Sequence, residues 1–104
     1  MGNLFAATNP FGQIVRCSEH RWEKHIVAGH PSMRNKVDSV IGAIENPSSI
    51  WESGTHPKTR DVYFSHKSSD DAYTKVIVEG ESVVSAWIQR EVKGNIGELK
   101  YVNV

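Results

Sequence analysis

AYTKVIVEGESVVSAWIQ, residues 72–89, decides the fold. Valine, isoleucine, threonine and aromatic residues alternate along it, and Gly80 interrupts the alternation between two glutamates. That pattern predicts two antiparallel strands, Ala72–Glu79 and Ser82–Gln89, joined by the short turn Glu79-Gly80-Glu81. On the first strand Thr74, Val76 and Val78 oppose Tyr73, Lys75, Ile77 and Glu79. On the second, Val84, Ala86 and Ile88 oppose Val83, Ser85 and Trp87. One face of the hairpin (Val76, Val78, Val84, Ala86, Ile88) is therefore apolar and should be covered. The other carries a lysine, a hydroxyl and two aromatic rings, a mixed surface of the kind antiparallel sheets present to solvent.

Reading back toward the amino end, the period of two continues through Asp61–His66 and Ile50–Ser53, separated by the polar turn Gly54–Thr59. Before Pro47 the period becomes helical. Met33, Val37, Val40, Ile41 and Ile44 recur at helical spacing, which predicts a core-facing helix from Ser32 to the Asn46-Pro47 stop. An earlier helix lies in CSEHRWEKHIVAGHP, residues 17–31. Ser18 is its cap, Glu19 and Glu23 suit the positive end of the helix dipole, and Gly29-His30-Pro31 ends it. Trp22, Ile26 and Gly29 share one side, with Arg21 and His25 on its flank. Gln13–Cys17 reads as a first strand, residues 1–11 as a loose arm, and the tail through Leu99, Tyr101, Val102 and Val104 as a weakly alternating edge strand. The expected fold is α+β: two N-terminal helices on one face of a four- to six-stranded antiparallel sheet, in a single domain over residues 12–104.

With 104 residues there is room for one core. Twelve basic residues balance twelve acidic ones, so bulk positive charge does not hold this chain to nucleic acid, although a small basic cleft remains open to it. The single Cys17 excludes an internal disulfide. No apolar run approaches a membrane span, and the amino end lacks the pattern of a signal peptide. The expected location is the cytoplasm, reached either directly or by delivery as the toxin domain of a larger exported protein.

Metal chemistry has little support. His20, His25 and His30 are five apart, and each step turns about 140° around a helix, so they do not converge. Neither Cys-x-x-Cys nor His-Glu-x-x-His occurs, and no cofactor motif is present.

Trp22, His25, Ile26, His30 and Pro31 spell W-x-x-H-I-x-x-x-H-P, and Ile44-Glu45-Asn46-Pro47-Ser48-Ser49-Ile50 follows as I-x-N-P-x-x-I. These motifs resemble the first helix and the second turn of phage-type nucleases in the barnase, EndoU, colicin and RelE-like group, over roughly residues 14–88. The resemblance implies a metal-independent endoribonuclease of toxin type. Such an enzyme cuts RNA by transesterification through the 2′-hydroxyl, with an antitoxin or immunity protein as its inhibitor. That chemistry needs a base for the 2′-hydroxyl proton, an acid for the leaving oxygen and cationic donors for the phosphorane. Imidazole suits the first two tasks. The expected catalytic residues are His25, with His30 as second candidate, and Lys75 and Ser85. Arg21, Arg60, Tyr73, Trp87 and His66 are the expected RNA contacts, the aromatics by stacking bases. The neutral net charge suits one docked substrate, such as a particular tRNA. The rival expectation is a non-catalytic RNA- or protein-binding module on the same fold.

Overall fold

The computed structural model describes residues 2–103; Met1, in the expected arm, and Val104, in the expected edge strand, lie outside the described residues. The chain begins with a hairpin, β1 (Asn3–Thr8) and β2 (Ile14–Ser18). Helix α1 (residues 19–29) and helix α2 (Val37–Glu45) follow, linked by a 3-10 turn at Pro31–Met33. Five strands complete the chain: β3 (Ser49–Ser53), β4 (Arg60–Phe64), β5 (Tyr73–Glu79), β6 (Ser82–Gln89) and β7 (Ile96–Val102). All seven form one sheet in the order β1-β2-β6-β5-β4-β3-β7.

This corrects the expected architecture. The sheet has seven strands, not four to six. It is mixed rather than antiparallel, because β2 runs parallel to β6 through the pairing of Arg16 with Ser82. The helices are not N-terminal, since a hairpin precedes them. Residues Asn3–Thr8, expected in a loose arm, are edge strand β1, and Phe5 and Ala7 on it are buried. Asn9 and Pro10 belong to a built turn. The Asn9 carboxamide oxygen accepts from the amides of Phe11 (3.0 Å) and Gln13 (2.9 Å), and Gly12 takes φ +80°, which glycine adopts without strain. The Asn9 side-chain amide then donates to the Tyr63 hydroxyl on β4 at 2.8 Å, tying the hairpin loop into the sheet.

The hairpin that decided the reading forms with Tyr73–Glu79 paired to Ser82–Gln89, and Gly80 sits at φ +60° at the first loop position. Its register shifts between Ile77 and Val78: Ile77 pairs with Ser85 but Val78 with Val83. The extra residue, Val84, is thereby pushed off the helix-covered face, and Val83 enters the core in its place.

Both helices pack on the face of Val76, Val78, Val83 and Ala86. In α1, Ser18 Oγ accepts from the Arg21 amide at 3.0 Å, as a cap should. Residues Trp22–Val27 are π-wound, which sets Trp22, Ile26 and Val27 against the core and leaves Gly29 exposed. Ser32 does not start α2. Pro31 fixes the 3-10 turn instead, burying Met33, and α2 begins at Val37 with Val40, Ala43 and Ile44 inward. Val37 and Ile41 pack at the margin of this core. No helix among the described residues is long and apolar enough to cross a membrane.

Candidate functional site

Among the described residues, no helix lies on the other face of the sheet. Cross-strand pairing aligns its side chains in rows: Phe64 with Lys75 and Trp87, Val62 with Ile77 and Ser85, Arg60 with Glu79. After β6 the chain crosses this face as residues 90–95, over Lys75 of β5, to reach β7 beside β3. Val62 and Phe64 are fully buried although they point away from the helices. Beside the crossing lies a pocket of about 490 Å³, lined by Ser53, Arg60, Lys75, Ile77, Val84, Ser85, Trp87, Gln89, Gly94 and Asn95.

Lys75 is the least ordinary group in it. The residue is 3% exposed, and burial pushes its ammonium pKa down. Its Nζ donates to the carbonyls of Lys93 (3.1 Å) and Gly94 (2.7 Å) and lies 5.0 Å from the Trp87 ring centroid and 5.6 Å from that of Phe64. Arg60 at the opposite end of the pocket binds Glu79 through Nε at 2.8 Å, and that hydrogen bond lowers the Glu79 carboxyl pKa. Engagement through Nε leaves the terminal guanidinium donors for a ligand. The Trp87 indole N–H donates to Gln89 Oε1 at 3.0 Å. Gln89 Nε2 in turn donates to the carbonyls of Glu91 (2.6 Å) and Lys93 (2.8 Å).

His30 reaches this face from the helical side. A residue before proline avoids the helical conformation, and His30 has φ −138°, ψ 79°. The chain therefore turns out of α1, and the imidazole stacks on Trp87 with centroids 5.3 Å apart and planes at 24°. With His30 and the Lys75 ammonium both against its ring, Trp87 has little π surface left to stack a base.

Four of the expected residues thus line one pocket (Lys75, Ser85, Arg60 and Trp87), with His30 touching it through Trp87. The others lie apart. His25 is exposed on α1, 5.8 Å from the His20 ring, on the helix that packs the opposite face. Arg21 lines a separate cleft with Arg16, Ser18 and Glu81. Tyr73 shares the helix-free face, but its ring meets Phe64 edge-on at 6.3 Å and Lys67 Nζ at 5.9 Å, outside the pocket. His66 follows β4 and approaches Asn103 at 3.3 Å, in a groove with Ser39 and Asn46 of the α2 region. Sequence reasoning missed Ser53, Gln89, Gly94 and Asn95. Gln89 was within reach, because it continues the alternation Ser85, Trp87, Gln89; Asn95 arrives on a crossing with no periodic signal.

No three His, Cys, Asp or Glu side chains gather in metal-binding arrangement among the described residues. No protein family, curated protein or solved structure matches the chain.

Proposed function

We propose that the chain is an endoribonuclease that binds RNA at the Arg60–Trp87 pocket and cleaves it by metal-independent transesterification. One arrangement carries this reading: the His30 imidazole lies against Trp87, whose ring lines the same pocket as Arg60, Lys75 and Ser85. His30, not His25, is then the acid–base residue. In the reaction the 2′-oxygen attacks the adjacent phosphorus as its proton passes to a base. The bond from phosphorus to the 5′-oxygen breaks, and the leaving oxygen takes up a proton. The products are a 2′,3′-cyclic phosphate and a 5′-hydroxyl. An imidazole is suited to move these protons, Arg60 to neutralise the phosphorane, and the Ser85 hydroxyl to donate to it. The resemblance of the W-x-x-H-I-x-x-x-H-P segment to toxin nucleases points the same way, and an inhibitory antitoxin or immunity protein would be the natural partner.

A second reading, a binding module without catalysis, draws on a specific observation. The Lys75 ammonium is occupied by backbone carbonyls, and His25 is exposed on the helix that packs the other face of the sheet. The deciding experiment incubates the pure protein with total RNA in EDTA and analyses the new ends. Cleavage leaving cyclic phosphate ends is expected. His30→Ala should lower its rate by about 10²–10⁴-fold, with His25→Ala close to wild type. A fully active His30→Ala protein removes the proposed mechanism, and RNA retained without cleavage selects the binding module.

A further inference from the structure

The crossing at residues 90–95 is held by side chains rather than by a ladder. Lys75 Nζ and Gln89 Nε2 both donate to the Lys93 carbonyl, Lys75 adds Gly94, and Gln89 adds Glu91. Beyond them the Gly54 amide donates to the Asn95 carbonyl at 2.8 Å. The backbone is shaped to meet the ammonium. Gly94 sits at φ +91°, and a Cβ there would come within 3.0 Å of Lys75 Nζ; Asn95 follows at φ 54°. Conformation and space both call for glycine at 94. Gly94 and Asn95 are themselves pocket wall, so whatever fixes the crossing fixes the shape of the pocket.

We infer that Lys75 is a positioning residue: its buried ammonium pins residues 90–95 as the wall of the pocket, and the anion of a ligand is met by Arg60 and Ser85 instead. An ammonium has three donors, and two are spent on carbonyls; at 3% exposure it has little surface to offer a phosphate. Arg60 and Ser85 are both half-buried and face the pocket. The assignment rests on the reading of this pocket as an RNA site only for the ligand; the pinning is a property of the free protein.

The test has two arms. In the first, the ligand-free protein and Lys75→Met are digested briefly with trypsin under native conditions, and cleavage after Lys93 is compared with cleavage after Lys36. Methionine, one heavy atom shorter than lysine, keeps most of its apolar stem and removes the donors. Cutting after Lys93 should accelerate at least about tenfold, well beyond any change at Lys36, because donors that hold a loop by charge-assisted hydrogen bonds are lost. Gln89→Ala should act in the same direction. Equal acceleration at both sites would mean that Lys75 supports the whole fold, and an unchanged rate at Lys93 that it pins nothing; either overturns the inference. In the second arm, binding of a single-stranded RNA oligonucleotide is measured against salt. Arg60→Met should flatten the dependence of log Kd on log salt by about 0.7, the worth of one phosphate contact on a single strand, and Lys75→Met should leave the slope unchanged. A slope lowered by Lys75→Met would make the lysine a direct phosphate ligand and overturn its positioning role. Failure of the wild-type protein to bind RNA would sink the RNA reading, and the Arg60 and Ser85 assignment with it, while the proteolysis arm still decides the pin.

Discussion

The two faces of β5 are built to different rules. Toward the helices, Val76 and Val78 meet Ala86, Val83, Trp22 and Ile44 in a closed apolar layer. One residue away, Lys75 and Ile77 point to a face that no helix covers, where rings, a crossing chain and paired charges share the work. The first face tolerates nothing polar without a partner; the second is polar because a buried ammonium and its carbonyls were matched to one another. Stability resides mainly in the first, while the second keeps an open pocket.

Adjacent residues give the sharpest way to break that contrast. Val76→Asp puts a carboxylate into the closed layer, and loss of more than about 4 kcal/mol, enough to unfold the domain, is expected in urea melts. Ile77→Asp on the same strand faces the half-open pocket, where Ile77 is only half-buried, and should cost about 2 kcal/mol. Equal losses at the two positions would abolish the distinction.

Titration separates the faces next. Burial raises the Cys17 thiol on the helix face to about 11. With the folded value above the unfolded one, the folded state holds the proton longer. The resulting stability is whole below pH 9 and is lost as pH climbs through 11, to the extent of about 2–3 kcal/mol. Tyr63, whose hydroxyl pKa burial also raises, adds a loss of the same sign. Lys75 has the opposite sign: its lowered value means that the cost of burying the charge is relieved as pH rises. Stability measured from pH 8 to 11 should therefore fall less steeply in Cys17→Ala than in wild type. Parallel curves would show that the thiol titrates alike in the folded and unfolded chain, so that burial does not shift it.

The smallest expected effect is at Tyr63→Phe. It removes the Asn9–Tyr63 hydrogen bond but leaves the Asn9 side-chain amide its second acceptor, Gln13 Oε1 at 3.1 Å. A loss of about 1 kcal/mol is expected from thermal melts. An effect as large as that of Val76→Asp would show that the β1–β2 loop holds the core shut.

The outcome explains what was legible. Alternation gave β5, β6 and the membership of both faces, because each strand there is long enough for the period to repeat. It failed at the bulge, where Val83 and Val84 exchange faces, since a bulge leaves no mark in composition, and at Ile88, which was expected to be covered and is exposed at the far end of the strand. It failed at β1 because six residues with two buried side chains give too short a record, and because Asn9 and Pro10 suggest looseness until the side-chain turn around Asn9 is seen. The parallel pairing of β2 with β6 depends on Arg16 meeting Ser82, a contact between distant segments that no local pattern encodes. The site was partly legible for the same reasons. Lys75, Ser85 and Trp87 follow from alternation. His25 was favoured by its place beside the helix stripe, but that stripe faces the other side of the sheet, and the imidazole that stacks on the pocket residue Trp87 is that of His30, just before Pro31.

Among the described residues β1 and β7 form the two margins of the sheet, and they are guarded unequally. β7 carries Glu98 and Lys100, the latter paired to Asp61 at 2.9 Å, and its ladder to β3 is broken by two register shifts. β1, at the other margin, reads Asn-Leu-Phe-Ala-Ala-Thr without a charge or a proline. Charges and bulges keep an exposed strand from accepting another chain, and bare strands lack that protection. Edge-to-edge growth in a concentrated solution of this protein therefore has one open door. A contact through β1 would leave each molecule's β7 margin, with Glu98 and Lys100, facing outward.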